Sequence, residues 1–466
     1  MEVDISKIEK FLNKYALLKS YLDGTHEEME KLMEDLKQLE YREFQKRDNE
    51  LCMIASENYP SEDILDANGS IFACKYSEGM PFKRYYQGCE VIDEMEQMCI
   101  DECLKLFKAQ DEYYANVQPN SGCSANLIVY NAVLQPDETV LSMDVSAGGH
   151  ISHSSNKSFL AKYHNVVTYG VNDESWLDYD EIERIALECK PKLIICGASN
   201  YSRIIDFKRF KEIADKVGAY LMADIAHISM LVAHGQHPTP VGLADFITFT
   251  THKTMRSTRG GCIIYKKEFD KQIRLSTIPS LFGGALQNHV YAKLVGFVEA
   301  QKPETKLYAQ QIIDNAHALA SAFLDNGIPL VSGGTDNHLM TVDLTNYNIS
   351  GKQLAVLLEQ CGIIVNCNAV PNDKRSFLET SGIRIGVPAV TTRGLDVVEV
   401  YRIGSMISDI IKTFYKMDGS DDTLNFKLAL HDYVDELVEK YPLSNIYPKR
   451  AKEAYENLKE DYILER

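Results

Sequence analysis

Short apolar runs alternate with amphipathic segments between about residues 50 and 310. The clearest runs are KLIICGAS (192–199), AYLMADIAH (219–227), ADFITFTTHK (244–253) and GCIIYKK (261–267). Between the first two lies RFKEIADKVG (209–218), where apolar residues recur with the period of an α-helix. Buried runs separated by amphipathic helices are typical of a mostly parallel sheet covered by helices. The pattern therefore predicts a large α/β domain over residues 51–310.

The first 50 residues are helical in pattern. Thr25 and Glu28 have the spacing of a capping box, which predicts a helix start at Thr25. Beyond it, apolar side chains recur on one helical face at Leu32, Met33, Leu36 and Leu39. We expect a helix of about four turns whose apolar stripe needs a surface to pack against. Residues 1–50 are therefore predicted to form a helical arm.

The last third of the chain mixes short strands and helices. A helix-like stretch at 289–325 precedes smaller units, which are HLMTVDLT (338–345), KQLAVLLEQCG (352–362) and IRIGVPAV (383–390). Two further helices are predicted at 391–416 and 424–440. This mixture predicts a smaller C-terminal α+β domain over residues 311–466.

Length, composition and charge narrow the class of protein. A chain of 466 residues, 45% of them apolar, can bury the cores of two or three domains. Its formal charge is −18, from 67 acidic and 49 basic residues. Because a phosphate backbone attracts basic proteins and repels acidic ones, we expect no nucleic-acid partner.

Cysteine spacing and the lack of long apolar runs indicate the compartment. The 11 cysteines include no pair with the CxxC or CxxH spacing of a zinc or redox site, so we expect reduced thiols and no metal site. No run reaches the roughly 18 consecutive apolar residues of a membrane span. The first ten residues, MEVDISKIEK, lack the features of a signal or transit peptide. We therefore expect a soluble cytoplasmic protein with no membrane partner.

Polar residues that directly follow an apolar run are the first candidates for function. Ligands of open α/β sheets bind outside the carboxyl ends of the strands. In AYLMADIAHISM, Asp224 ends such a run and His227 follows three residues later. A carboxylate in this place can be a helix cap, a metal ligand or the partner of a protonated ring nitrogen.

A second candidate place presents a lysine. His252 and Lys253 follow the run DFITFT, and Arg259, Gly260 and Gly261 come shortly after them. A lysine at the end of a buried strand loses hydration, and this loss lowers its pKa. Burial would therefore favour a neutral, nucleophilic amine at Lys253.

A third candidate place is a turn of small residues directly before a helical pattern. In QPNSGCSAN these residues are Ser121, Gly122, Cys123 and Ser124. Free N–H groups and the dipole at a helix start favour an anion such as phosphate, although an ordinary Ser-capped helix has the same pattern. The dipole contributes only about 0.3–1 kcal/mol, so a retained cofactor needs a covalent link or further donors.

The three places together fit one cofactor. A pyridoxal phosphate site needs a phosphate anchor, an acid that keeps the pyridine nitrogen protonated and a lysine that forms an imine. Asp224 and Lys253 come at the ends of consecutive predicted strands, and the small-residue turn supplies the anchor. The sequence therefore predicts a pyridoxal phosphate enzyme.

Nine segments resemble the serine hydroxymethyltransferase family over nearly all of residues 50–445. They are IASENYPS (54–61), KYSEGMPFKRYYQGCE (75–90), NVQPNSGCSAN (116–126), GGHISH (148–153), ADIAHISMLVAHG (223–235), THKTMRSTRGG (251–261), GGTDNH (333–338), VNCNAVPND (365–373) and TSGIRIGVPAVTTRG (380–394). The resemblance implies a fold type I pyridoxal phosphate enzyme, a homodimer or homotetramer whose active site is built between two chains. It implies that serine and tetrahydrofolate are interconverted with glycine and 5,10-methylenetetrahydrofolate.

The resemblance also implies roles for single residues around the cofactor. Lys253 would form the imine, and Asp224 would pair with the pyridine nitrogen. Other residues would contact the cofactor's ring, phenolic oxygen or phosphate, namely His150, Ser199, His227, Ser121, Gly122, Cys123, Arg259 and, from a neighbouring subunit, Gly283 and Gly284. Catalytic roles beside the imine or in proton transfer would fall to Glu78, His252, Thr250 and Tyr76.

Substrate-binding residues follow from the same resemblance. Arg384, in SGIRIG, resembles a clamp for the amino-acid carboxylate, a task that suits a bidentate guanidinium. Ser56 and Tyr86 would assist it. The pteridine of tetrahydrofolate would be lined by Val145, Gly149, Ile151, Asn368, Ser376, Phe377 and Leu378.

The sequence departs from the family pattern at several positions. Cys123 replaces a small hydroxyl residue, which predicts a weaker hydrogen bond to the phosphate. Phe82 and Met230 replace glycines, and we expect them to narrow the pteridine entrance. Two alternatives stay open: a folate-independent aldolase or transaldolase acting on β-hydroxy amino acids, and an inactive paralogue that serves as a binding subunit.

Overall fold

The computed structural model describes residues 5–414 and 422–459. The chain divides into two compact units. The larger unit is formed by residues 51–441, and the smaller unit by the described residues of 1–50 and 442–466. The residues beyond 441 thus group with the N-terminal helix, and the predicted domain boundary at residue 310 stays a prediction.

A seven-stranded sheet forms the centre of the larger unit. Its strands, numbered in chain order, are β1 (Tyr113–Asn116), β2 (Thr139–Met143), β3 (Asn165–Tyr169), β4 (Leu193–Cys196), β5 (Tyr220–Asp224), β6 (Phe246–Thr250) and β7 (Gly261–Lys266). Their order across the sheet is β1-β7-β6-β5-β4-β2-β3. Neighbours from β6 to β3 are parallel, whereas β7 runs antiparallel to β6 and β1. The predicted α/β class with a mostly parallel sheet is confirmed.

The sheet is buried on both faces, which explains its continuous apolar runs. Successive side chains of a strand point to opposite faces. In β4, Leu193 and Ile195 belong to one apolar cluster, and Ile194 and Cys196 belong to another. All four residues are fully buried.

Helices surround this sheet and continue into the rest of the larger unit. They are Glu62–Asn68, Glu90–Leu106, Gly122–Val133, Ile151–Ser154, Phe159–Tyr163, Tyr179–Cys189, Phe207–Val217, Ser229–Ala233, Asp270–Leu275, Gln287–Ala300, Pro303–Asp325, Gly351–Glu359, Pro388–Arg393, Val397–Phe414 and Asp422–Lys440. None of the helices in the described part of the chain is long and apolar enough to cross a bilayer.

Two of the predicted helices differ from the structure at their ends. The stretch 289–325 is two helices, and the second begins at Pro303, whose missing N–H group and restricted φ suit a first helical position. The stretch predicted at 391–416 is also interrupted. Gly394 adopts φ 111° and ends a short helix before the next one begins at Val397. Residues 415 and 416 lie outside the described residues.

A smaller antiparallel sheet presents the predicted carboxylate clamp. Its strands are β8 (Leu339–Asp343), β9 (Asn366–Asn368) and β10 (Gly382–Gly386), with β10 in the centre. Arg384 lies in the middle of β10. Two pairs of two-residue strands also form, Leu51–Cys52 with Ile363–Ile364 and Gly79–Met80 with Lys83–Arg84.

The smaller unit is built on one long helix, Ile5–Asp48, and the helix Pro448–Asn457. Gln38 Nε2 donates a hydrogen bond to the carbonyl of Asn457 at 3.0 Å, and Tyr41 donates to Glu453 at 3.1 Å. These contacts hold the two helices of this unit together.

The predicted helix start at Thr25 is wrong. An N-cap needs an extended residue, whereas here the helix continues through Gly24 and Thr25, and His26 pairs with Glu30 one turn later. The predicted apolar stripe is present and is exposed among the described residues. Its members are 49–59% exposed: Leu32, Met33, Leu36 and Leu39.

Candidate active site

A cavity of about 430 Å³ opens where β5 and β6 end. Thirteen of the predicted site residues line it: Ser56, Ser121, Gly122, Cys123, His150, Ser199, Asp224, His227, Thr250, His252, Lys253, Arg259 and Arg384. Four residues that the sequence patterns did not single out also line it: Glu57, Asn126, Ala198 and Ala226. Parallel strand ends thus bring together segments that are far apart in the sequence.

Buried donors hold the carboxylate of Asp224 at the end of β5. His153 Nε2 and Asn126 Nδ2 each donate to its Oδ2 at 2.9 Å, and the N–H of Ala226 donates to its Oδ1 at 3.0 Å. Burial by itself raises the pKa of this carboxyl, but the hydrogen bonds from His153 and Asn126 outweigh burial, and the pKa of Asp224 is lowered. The group therefore stays negative, as the partner of a protonated ring nitrogen must.

The sequence patterns assigned no role to His153 or Asn126. A local signal existed, since His153 follows His150 by three residues and this spacing lies within one helical turn. This spacing does not identify Asp224 as the hydrogen-bond partner, because Asp224 is 71 residues from His153 and 98 residues from Asn126.

Lys253 lies directly beyond β6 with its side chain almost buried. The residue is 9% exposed, and Asn58 fixes its backbone by donating to its carbonyl at 3.0 Å. Burial lowers the pKa of Lys253 to about 8; Asp224 opposes this shift, and Arg384 adds to it. About a tenth of this amine is neutral at pH 7 and about half at pH 8, so it can act as a nucleophile.

Two histidines predicted to contact the cofactor or its link are neutral imidazoles. Burial, helped by nearby His153, lowers the pKa of His150 to about 4. Burial and the charge of Arg259 lower the pKa of His252 to about 3. The Nδ1 of His150 also caps the short helix that begins at Ile151, by accepting from the N–H of Ser152. A neutral ring can stack or accept a hydrogen bond without adding positive charge to the cavity.

His227 lies between a serine and a further buried histidine. Its Nε2 lies 3.5 Å from Ser199 Oγ, and its Nδ1 lies 3.3 Å from His338 Nε2. The two imidazoles are stacked with an angle of 25° between their planes. Burial lowers the pKa of both rings, that of His338 to about 3. His338 is the last residue of the segment GGTDNH, and the sequence patterns predict no role for it.

Arg384 is a partly buried cation without a carboxylate partner among the described residues. Its Nη1 donates to the carbonyl of Ser199 at 2.9 Å, and its Nη2 donates to Asn366 Oδ1 at 3.0 Å. Its Nε is buried and has no hydrogen-bond partner. Burial lowers the pKa of Arg384 to about 10. A guanidinium held in this way binds a carboxylate ligand well, because the anion restores the interactions that burial removed.

The small-residue turn forms the start of a twelve-residue helix, Gly122–Val133. Ser121 caps it with a complete capping box, since the side chains of Ser121 and Ser124 each accept from the other's N–H. The backbone here is packed so closely that glycine is required: a Cβ at Gly261 would lie 2.2 Å from the carbonyl of Ser121. Helix N–H groups next to Arg259 in one cavity suit a phosphate.

Five other predicted residues lie together but do not line this cavity. Tyr76 and Tyr86 donate to the two carboxylate oxygens of Glu78 at 3.2 and 3.0 Å. Gly283 and Gly284 lie against this group, where an added Cβ would come within 3.1 Å of Glu78 and 3.4 Å of Tyr76. Tyr76 is 58% exposed and Tyr86 45%. We call these five residues the Glu78 cluster.

The predicted pteridine residues are placed outside the main cavity. Ile151 lines a neighbouring cleft of about 470 Å³, which shares Ser121 and Cys123 with the cavity. Three apolar members of this set, Ile151, Phe377 and Leu378, are 61–77% exposed, and the fourth, Val145, is half-buried. The other members are Gly149, Asn368 and Ser376, of which Gly149 is buried and Ser376 is exposed.

Of the two residues expected to narrow the pteridine entrance, one is placed elsewhere. Met230 is 1% exposed and packs in the main apolar core, so the expectation is wrong for Met230. Its flexible thioether fills space between packed side chains instead. Phe82 is 66% exposed, in the loop next to the Glu78 cluster.

The sequence model of a known family extends over most of the chain. Described as serine hydroxymethyltransferase, it matches residues 29–407. The chain belongs to the serine hydroxymethyltransferase family. It therefore has the fold of a type I pyridoxal phosphate enzyme, as predicted, and the family is pyridoxal phosphate-dependent.

The residues of this serine hydroxymethyltransferase family member fit the family's cofactor. The cavity offers a helix start for a phosphate, a carboxylate that stays negative and an amine with a lowered pKa. Arg384 and His252, which line the same cavity, each have a buried nitrogen atom without a hydrogen-bond partner. Among the described residues, no group of three or more His, Cys, Asp or Glu side chains is placed to hold a metal ion.

Proposed function

We propose that this protein transfers the hydroxymethyl carbon of serine to tetrahydrofolate and releases glycine, 5,10-methylenetetrahydrofolate and water. The observation that carries the proposal is the presence of Lys253, Asp224 and Arg384 in one cavity of about 430 Å³. They supply a nucleophilic amine, a lasting negative charge and a guanidinium that no described carboxylate neutralises. An amino acid handled by a pyridoxal phosphate enzyme needs these three groups.

The cofactor-binding residues prepare the cavity for carbon–carbon bond cleavage. Bound pyridoxal phosphate supplies an electron sink for the bonding electrons that are released. The neutral amine of Lys253 would attach the cofactor covalently. Asp224, kept negative by His153 and Asn126, holds the proton on the ring nitrogen. The neutral imidazole of His150 would contact the cofactor ring, and His227 with Ser199 would bind the phenolic oxygen.

Arg384 binds the carboxylate of serine. The hydrogen bonds to Ser199 and Asn366 set the orientation of the guanidinium before a substrate arrives. This preorganisation lowers the entropic cost of binding. Ser56, in the same cavity, adds a hydroxyl that can bind the same carboxylate.

We assign the Glu78 cluster to the cavity of a second copy of the chain. Glu78 acts there as the acid/base for the hydroxymethyl oxygen. The support is that Tyr76 and Tyr86 are exposed aromatic side chains around a carboxylate that does not line its own chain's cavity. Gly283 and Gly284 would complete the phosphate site of that copy. Thr250 and His252 stay beside Lys253 in their own chain, and a homodimer is the smallest active species.

Tetrahydrofolate would cover exposed apolar side chains outside the cavity. Ile151, Phe377 and Leu378 support this assignment because flat aromatic ligands bind against such surfaces. Asn368, at the end of β9, can supply a polar contact to the pteridine. We propose the same surface for Val145, Gly149 and Ser376.

Glycine release from serine, measured with and without tetrahydrofolate, tests the proposal. The absorbance spectrum of the purified protein is recorded first. We expect a cofactor band and a clear rise in glycine release when tetrahydrofolate is added. Release that does not rise would indicate a folate-independent aldolase. The lack of any cofactor band after incubation with pyridoxal phosphate would indicate a binding subunit.

Borohydride reduction tests the covalent attachment separately. In the wild-type protein we expect borohydride to fix pyridoxal phosphate to Lys253, with a matching mass increase on its peptide. Lys253→Ala should lose this adduct, while Lys271→Ala, at an exposed position, should keep it. An adduct retained in Lys253→Ala would refute the assignment.

A further inference from the structure

A fully buried lysine lies directly behind the predicted phosphate site and does not line the cavity. Lys293, on the helix Gln287–Ala300, is 1% exposed and is one of the largest fully buried side chains. A buried ammonium loses much hydration energy, so its hydrogen-bond partners decide whether it can stay charged. Burial lowers the pKa of Lys293, while the nearby thiol of Cys262 opposes this shift.

Three backbone carbonyls surround the ammonium of Lys293. Its Nζ donates to Val117 at 2.7 Å, to Pro119 at 2.9 Å and to Gly261 at 3.1 Å. An ammonium has three N–H groups and a neutral amine has two, so three acceptors favour the charged form. Lys293 is therefore a buried positive charge whose hydrogen-bond acceptors are neutral carbonyls, and the nearby carboxyl of Glu96 also favours its charged form.

These carbonyls belong to the two segments that form the phosphate site. Val117 and Pro119 lie in the loop that leads from β1 to Ser121, and Gly261 begins β7. The N–H of Gly261 also donates to the carbonyl of Pro119 at 3.0 Å, so the ammonium joins two segments that already touch. Because the Pro119 carbonyl is held, the peptide plane directly before Asn120 and Ser121 is held as well.

The backbone around the ammonium leaves no room for a side chain. A Cβ at Gly260 would lie 2.3 Å from Lys293 Cε, and one at Gly261 would lie 2.2 Å from the carbonyl of Ser121. The loop, the glycine pair and the lysine therefore fit together as one packed group. Movement of the lysine would be transmitted to the backbone of Ser121.

We propose that Lys293 is a positioning residue of the phosphate site: its ammonium holds the carbonyls of Val117, Pro119 and Gly261 and so places the helix start at Ser121 to receive the cofactor phosphate. It touches neither cofactor nor substrate. The inference rests on the proposed pyridoxal phosphate site and adds a residue to it.

Comparison of pyridoxal phosphate with pyridoxal tests this role. Dissociation constants of both ligands are measured with apoprotein of the wild type, of Lys293→Met, which keeps an unbranched side chain of similar length, and of Lys271→Met as the exposed control. A folded apoprotein is confirmed by circular dichroism and its melting temperature. For Lys293→Met we expect the constant for pyridoxal phosphate to rise roughly ten-fold or more, and that for pyridoxal to change much less.

If the role of Lys293 were merely structural, its replacement would weaken the binding of both ligands equally. Equal changes, or no change, in Lys293→Met would therefore overturn the proposal. If Lys293→Met does not fold, Lys293→Gln is measured in the same way, because its amide keeps two N–H donors. Failure of both variants to fold would also count against a positioning role. A wild-type protein that binds neither ligand would instead reject the proposed function itself.

Discussion

At the scale of single residues, the cavity separates charges that would neutralise one another in solution. Asp224 is negative and accepts hydrogen bonds from His153 and Asn126. Arg384 is positive and has only neutral hydrogen-bond partners among the described residues. Lys253 lies between these environments with a pKa lowered to about 8. Each group is thus held in the ionisation state that its proposed role needs.

Replacement of Arg384 should weaken the binding of serine more than the binding of the cofactor. Arg384→Ala removes a charge-assisted bidentate contact. We therefore expect kcat/KM for serine to fall roughly 30- to 1,000-fold, which corresponds to a free energy of about 2–4 kcal/mol. Steady-state kinetics measures this loss, and titration of the apoprotein measures cofactor affinity. Arg184→Ala, on an exposed helix, is the control. A serine concentration dependence identical to that of the wild type would argue against the clamp.

The lowered pKa of Lys253 predicts how cofactor incorporation depends on pH. The amine reacts only when neutral, and its pKa is about 8. The rate of pyridoxal phosphate attachment to apoprotein should therefore rise through pH 7 and 8 and level off above about pH 9, with the value at pH 7 about ten-fold below the plateau. Stopped-flow absorbance measures this rate, with an unperturbed lysine peptide for comparison. A midpoint near the ordinary lysine pKa would contradict the environment described for Lys253.

At the scale of elements, strand ends and one helix start bring the chemistry together. β5 delivers Asp224, the segment after β6 delivers Lys253, and Ser121 begins the helix Gly122–Val133. Apolar contacts keep these elements in register: a Cβ at Gly122 would lie 2.7 Å from Thr250 Cγ2. A shift of any one element would therefore move the site.

The cap at Ser121 should contribute to both stability and cofactor binding, and the chain contains a matched control. Ser350 begins the helix Gly351–Glu359 with the same kind of capping box, away from the cavity. Ser121→Ala and Ser350→Ala should each lower the free energy of unfolding by about 1 kcal/mol in denaturant titrations. We expect Ser121→Ala alone to weaken pyridoxal phosphate binding. Equal cofactor affinity in both variants would mean that Ser121 serves only as a cap.

At the scale of the whole molecule, two surfaces expose large aromatic or apolar side chains. The Glu78 cluster exposes Tyr76 and Tyr86, and the long N-terminal helix exposes an apolar stripe that includes Leu36 and Leu39. Each surface is described within its own compact unit. Exposed apolar and aromatic side chains of this kind are typical of contacts between copies of a chain.

Complementation between two inactive variants tests whether Glu78 acts across copies. Glu78→Gln and Lys253→Ala are each expected to be inactive alone. When they are co-expressed, about half of the dimers are hybrids, and each hybrid contains one intact site if Glu78 acts on its partner's cavity. Activity should then recover to about a quarter of the wild-type value per dimer. If Glu78 acts within its own chain, no intact site forms and co-expression restores nothing.

Much of the fold follows from local pattern. Apolar runs such as 192–199 and 219–227 predicted strands that the structure contains, because a strand buried on both faces must be continuously apolar. Helix ends follow less closely from local pattern: at Thr25 a capping signal is present, yet the helix continues through it. A capping interaction contributes only about 1 kcal/mol, so the interactions of neighbouring residues can outweigh it.

The sequence by itself determined the element types, the fold class and the identity of residues such as Asp224, Lys253 and Arg384, because periodicity and motif are properties of neighbouring positions. Only the tertiary structure decided which groups hold them. The donors His153 and Asn126, the buried ammonium of Lys293 and the separation of the Glu78 cluster from its own cavity all depend on contacts across long stretches of chain. Hydrogen bonds and burial depend on distance in space, and a linear pattern does not contain that distance.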